Sequence, residues 1–238
     1  MHLNLWLGLT ALCLLTSCAT QPSRQSEKGW YAAWAMSHNA RVASYMSGRT
    51  VRQILTPSIA GTGLRVKIEN TMGEAPVAFY GASIGLAGDG ATVRAGTMAK
   101  LTFNGQPGLT LAPGAGAYSD PVTLSFAARE KLALSLEVAE ASDASTHHVG
   151  LRINYWSPGQ RAGDASGAGW EPLPEVPPLN TGQWPYYWVA ALEVQSAEAT
   201  GSIVMFADSI TDGRCSTRDA QGTVQPNLDQ RWGDVVIA

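Results

Sequence analysis

Alternation of apolar and polar residues over short stretches, interrupted repeatedly by glycine and proline, is the feature that most limits what this chain can fold into. Leu64-Arg65-Val66-Lys67-Ile68-Glu69 alternates at every step, and Leu132-Ala133-Leu134-Ser135-Leu136-Glu137-Val138 does so more loosely. A period of two puts one set of side chains on one face of a pleated strand, so both read as half-buried strands. Leu151-Arg152-Ile153-Asn154-Tyr155 repeats the pattern, and Val51 to Leu55, Val77 to Ile84, Lys100 to Phe103, Val122 to Phe126 and Trp188 to Val194 are further candidates. Gly61-Thr62-Gly63, Gly88-Asp89-Gly90, Asn104-Gly105 and Pro113-Gly114 stand between them as turns. Roughly eight short strands without a long amphipathic helix predict a mainly β fold, a β-sandwich of jelly-roll type.

A second pattern begins at Ser202-Ile203-Val204-Met205-Phe206-Ala207, which is apolar without alternation, as a parallel strand covered on both faces would be. Asp208-Ser209-Ile210-Thr211-Asp212-Gly213 follows, and ligands of parallel sheets sit beyond the strands' carboxyl ends. A tight turn there exposes the Ser209 hydroxyl and lets a backbone N–H face a developing oxyanion, which makes Ser209 the candidate nucleophile. The competing reading is a turn serine in an acidic loop. Asp208 and Asp212 read as turn-fixing and capping groups rather than general bases, since a carboxylate adjacent in sequence seldom points at the hydroxyl. A serine hydroxyl without a neighbouring base is a weak nucleophile.

Ala207 to Gly213 resembles the first conserved block of the SGNH, or GDSL-type, esterases and lipases, with Ala207 in place of that block's glycine. The resemblance extends to Arg214-Cys215-Ser216-Thr217 and Arg231-Trp232-Gly233-Asp234. In the sandwich it includes Arg49-Thr50-Val51-Arg52-Gln53, Glu69-Asn70-Thr71-Met72-Gly73 and Ser119-Asp120-Pro121-Val122, which are similar to the jelly-roll domain preceding the catalytic domain in one secreted branch. It implies Ser209 as nucleophile, with Asp208, Thr211, Asp212 and Gly213 supporting its turn. It also implies a flavodoxin-like α/β domain whose oxyanion glycine and asparagine and late Asp-x-x-His pair would follow. None of these can be placed: His2, His38, His147 and His148 all precede Ser209. The chain is thus expected to end inside its hydrolase domain and to be inactive as given, and residues 201 to 238 to pack poorly or to borrow the sandwich surface.

The expected organisation is a signal peptide over 1–17, a polar tether over 18–28, the sandwich over 29–197 and the start of the hydrolase domain over 198–238. Leu3 to Leu15 is too short to span a bilayer and leads into Leu15-Thr16-Ser17-Cys18, which resembles a bacterial lipobox. That resemblance implies lipidation of Cys18, where acyl chains contributing ~0.8 kcal/mol per buried CH₂ would hold the protein at the cell envelope. The envelope face would be the outer membrane in a Gram-negative source; the alternative is ordinary secretion. Of three cysteines, Cys13 lies in the leader and Cys18 at the anchor, leaving Cys215 with no internal disulfide partner.

A net charge of −3 with no basic run excludes an electrostatic nucleic-acid binder. No His/Cys/Glu cluster has ligand spacing, so neither metal nor cofactor is expected. His147-His148 read as ordinary residues leading into a strand, or as substrate contacts of a complete enzyme. Trp184-Pro185-Tyr186-Tyr187-Trp188 closes a Pro- and Gly-rich stretch beginning at Ser157; its aromatics are core, or a platform on which sugar faces stack, with Trp156 and Trp170 as partners. The expected substrate is an acylated carbohydrate or small ester. The alternative function is a non-catalytic carbohydrate-binding lipoprotein carrying a relic of the nucleophile block.

Overall fold

The structure is a computed structural model describing residues 29–173, 184–196, 199, 201–206, 208–213 and 217–236. The expected signal peptide, tether and Cys18, together with Ala207 and Cys215, lie outside the described residues.

Among the described residues strand makes up 45% and helix 4%, so the fold is mainly β, as the alternation predicts. The described strands pair antiparallel throughout, in three sheets. The first has β1 (Trp30–Ala35), β15 (Val189–Gln195), β4 (Gly61–Glu69) and β8 (Gly116–Tyr118) in that order, with β9 (Val122–Phe126) also on β4. The second runs β13 (Glu171–Pro172), β12 (Tyr155–Pro158), β3 (Arg49–Leu55), β10 (Leu132–Glu140), β5 (Val77–Leu86), β6 (Ala99–Leu101), with β7 (Leu109–Leu111) on β5. A small third sheet joins β14 (Tyr186–Tyr187), β11 (Asp143–His147) and β2 (Ala40–Ala43).

The core lies between the first two sheets. Leu64, Val66 and Ile68 of β4 and Leu192 and Val194 of β15 enter it from one side; Val51, Leu55, Ile84, Leu132, Leu134 and Leu136 enter from the other. The strict alternation of β4 is explained directly, because Arg65 and Lys67 face outward and remain partly exposed. The looser pattern of β10 has a different cause: its second face is covered too, leaving Ala133 and Ser135 buried.

That face carries a small apolar cluster of Ile54, Val93 and Ala133 and, opposite Ser135, Arg52, whose side chain has no solvent contact. Its Nε donates to Ser135 Oγ (2.8 Å), Nη1 to Ala91 O (2.5 Å) and Nη2 to Asp164 O (2.6 Å), and the guanidinium lies 4.0 Å from the Trp170 ring centroid. Desolvation lowers the Arg52 pKa to about 10, partly offset by Asp164, so the group stays charged at neutral pH. Arg49 likewise lies 4.5 Å over the Trp156 ring.

Gln53, also fully buried, ties the third sheet to the second. Its Oε1 accepts from Tyr187 N (2.6 Å) and its Nε2 donates to Tyr187 O (2.9 Å), imitating a strand partner.

Two expected strands are corrected. Leu151 to Tyr155 is irregular up to Tyr155, where β12 starts, because its polar groups pair elsewhere. Leu151, at φ 53°, accepts at its carbonyl from Asn227 N, Ile153 N donates to Asn227 Oδ1, and the buried Asn154 side chain bridges Ile54 N and Pro185 O. Residues 202–206 form no strand either: Ile203 is 90% and Val204 84% exposed, and Phe206 is wholly exposed. A parallel strand requires a neighbour to complete its ladder, and no described strand pairs with this run.

Candidate functional site

The nucleophile candidate sits on a turn shaped by its own neighbours. Asp208 is extended (φ −104°, ψ −165°) and its Oδ1 accepts from Ile210 N at 2.9 Å, an N-cap for the single-turn helix α1 (Ser209–Asp212). Gly213 closes the helix in the left-handed region (φ 70°, ψ 32°), where a Cβ would be strained, and donates to Ser209 O at 3.2 Å. Ser209 opens the helix and is exposed. The Thr211 carbonyl accepts from the Trp232 indole Nε1 (2.8 Å), which links α1 to α2 (Trp232–Val236).

Asp212 is the member of this turn that reaches the sandwich. Its Oδ1 lies 3.4 Å from His147 Nε2 and 3.5 Å from Arg231 Nη2. Burial pushes the Asp212 carboxyl pKa up, but pairing with His147 and the charges of Arg231 and His148 outweigh it and hold the value below the ordinary one. Asp208 fixes the turn by capping it, whereas Asp212, expected to cap the segment that follows, instead ties the turn to a distant element.

His147 is fixed by strand pairing. It ends β11, opposite Tyr186 of β14 in register, and its Nδ1 lies 2.9 Å from the Ser37 carbonyl. It does not lead into a strand over Val149 to Tyr155, since that strand is absent. His148 stacks beside it (centroids 6.5 Å, interplanar 30°) and its Nδ1 meets Asn39 Oδ1 at 2.8 Å. His38, in the loop between β1 and β2, places Nδ1 3.1 Å from Thr71 Oγ1. Burial drives its pKa down to about 4, with Glu69 opposing and His147 assisting, so His38 is neutral at pH 7.

The remainder of the C-terminal segment borrows the sandwich surface through polar anchors, as expected for residues lacking a sheet of their own. Arg152, nearly buried, pairs with Asp229; Arg231 donates to the Val149 carbonyl; Arg129 Nη1 donates to Asp234 O at 2.8 Å. Arg231 and Asp234 belong to the Arg-Trp-Gly-Asp stretch singled out by resemblance. Their partners Val149 and Arg129, like Arg152 opposite Asp229, carry no sequence signal for this role.

Of the two readings of the aromatic stretch, Tyr186 and Tyr187 follow the core one. Tyr186 and Tyr187 are buried in the main core, and Trp188 beside them is fully buried, edge-on to Phe79 at 5.4 Å. The Tyr186 hydroxyl donates to Ile54 O at 2.6 Å and its ring meets Trp34 at 5.1 Å. Their faces are spent on packing, and only Trp184 retains partial exposure.

Among the described residues no group of three or more His, Cys, Asp or Glu side chains is arranged to hold a metal ion, and no described helix is long and apolar enough to cross a membrane. A scan against protein-family models finds no match, and a search of curated proteins likewise finds none.

Proposed function

We propose that this chain is the N-terminal part of a lipid-anchored serine ester hydrolase of SGNH type, in which a jelly-roll sandwich precedes the hydrolase domain and Ser209 attacks acyl esters of carbohydrates. The observation that carries the reading is the Ser209 turn itself. An acidic N-cap and a left-handed glycine hold an exposed serine at the first helical position, where its amide N–H has no intrahelical acceptor and is free to donate to an oxyanion. In the complete reaction the Ser209 oxygen attacks the ester carbonyl, a base takes its proton and returns it to the leaving alcohol, and water releases the acyl group from the serine.

The family's histidine, glycine and asparagine are absent from this sequence, so the chain by itself supplies the nucleophile turn and little else. Of the aromatics that suggested the carbohydrate-binding alternative, Tyr186 and Tyr187 are core residues and Trp184 is partly exposed.

The test compares the chain with the polypeptide encoded when its reading frame is followed downstream of Ala238. The chain alone should release acetate from acetylated xylan or p-nitrophenyl acetate barely faster than buffer, whereas an extension carrying the missing blocks should turn over and lose at least about 10³-fold on Ser209→Ala. Turnover that survives Ser209→Ala would overturn the assignment.

A further inference from the structure

We infer that His147 is a positioning residue for the nucleophile turn: the sandwich holds α1 through Asp212 more firmly while the His147 imidazole carries both protons, which makes the orientation of Ser209 pH-dependent. This rests on the reading of Ser209 as nucleophile for its functional meaning, but the clamp itself stands on geometry.

The two acceptors around the ring carry the argument. Nδ1 faces the Ser37 carbonyl at 2.9 Å, and a carbonyl only accepts, so Nδ1 bears a proton. Nε2 faces a carboxylate oxygen of Asp212 at 3.4 Å. A lone pair there would be repelled by the carboxylate, and a proton there is attracted. Both contacts are favourable together only for the imidazolium.

The surroundings define the range of the effect. His38, from the loop between β1 and β2, is neutral and adds no competing charge at neutral pH. His148 is the other imidazole beside His147 and is engaged with Asn39; Glu69 faces His38. Tyr186 across the strand pair is a phenol whose pKa burial raises to about 12, with Arg152 opposing, so it stays protonated. Arg231 meets the same Asp212 oxygen at 3.5 Å, so loss of the His147 charge weakens the clamp without abolishing it. The Asp212 carboxyl pKa is depressed, so its side of the pair fails only in acid below the ordinary carboxylate range.

Amide exchange of the full chain reads the clamp without any assay of activity. After correction for intrinsic rates, protection of the Asp212 and Gly213 amides, which bond to Asp208 O and Ser209 O, should be about fivefold higher near pH 5.5 than near pH 8.5. Asp212→Asn should make that ratio flat, because an amide accepts from the imidazolium and donates to the neutral ring. His147→Ala should be flat at the lower level, with β10 amides unchanged as the folding control. Equal pH ratios in the unmodified chain and in Asp212→Asn, or no pH effect in the unmodified chain, would overturn the clamp. Ser209→Ala should leave the ratios as they are, so failure of the nucleophile assignment and failure of the clamp are separable.

Discussion

At the scale of single residues, the side chain that most constrains its surroundings is Arg52. A buried guanidinium must find acceptors, and here they are a hydroxyl and two backbone carbonyls from separate loops, with the Trp170 ring beneath. Its removal orphans the buried Ala91 carbonyl and the part-buried Asp164 carbonyl, which costs more than the hydrogen bonds' net worth. Arg52→Ala should destabilise the protein by about 3 kcal/mol, or roughly 6–12 °C in melting temperature for a chain of this size. A shift under about 2 °C would show that the loops holding Ala91 and Asp164 rearrange to satisfy themselves. Arg52→Lys should recover little, since one ammonium cannot reproduce the planar fork that serves three acceptors.

Among the elements, the apolar run 202–206 and strand β10 are opposites made from similar residues. The Leu132, Leu134 and Leu136 side chains of β10 are buried, and the strand is hydrogen-bonded on both edges, to β3 and to β5. The run Ile203 to Phe206 is exposed and joins no described strand. Hydrophobicity alone does not make a strand; the ladder does. Amides of residues 203–206 should exchange within about tenfold of intrinsic rates, while those at the centre of β10 should require global unfolding. Protection of residues 203–206 by more than about a hundredfold would mean that the run finds a partner in solution. Val204→Asp, at an exposed site, should change stability by less than about 0.5 kcal/mol.

The whole molecule should lose stability on mild acidification, and the sign follows from which state binds more protons. His38 has a folded pKa of about 4 against an ordinary 6.5. Between those values the unfolded chain binds more protons, so stability rises with pH across the window and is lost as pH falls through it. The contribution is on the order of 2 kcal/mol once partial exposure of the ring is discounted. Burial pushes Asp164 up, but bonds from the Trp170 indole and Ser166 and the charge of Arg161 outweigh it; Asp164 and Asp212 are both depressed. Their contributions are therefore present above the ordinary carboxylate pKa and lost only in stronger acid, below about pH 4. Melting temperature should fall from pH 7 to pH 4.5, and His38→Gln should flatten that slope. An equal slope in the variant would assign the acid response to other groups.

The sequence by itself determined what is local. Alternation at β4 and β10 and turn glycines between strands place most of the sandwich strands within a few residues, because period and turn chemistry act over neighbouring positions. The Ser209 turn was legible for the same reason: its cap Asp208 and its left-handed Gly213 lie within one turn of it. What covers each face is not a local property. Leu151 to Tyr155 alternates as well as any strand here, yet its groups pair with Asn227, Ile54 and Pro185, and the shape is irregular. Tyr186 and Tyr187 are as suited to a sugar as to a core, and only the closing of β14 on β11 made them core. The contact of His147 with Asp212 joins the end of a sandwich strand to a helix far along the chain, so no spacing in the sequence announces it. Tertiary structure alone decided these, because they depend on which surfaces meet, and long-range pairing leaves no periodic trace in either partner.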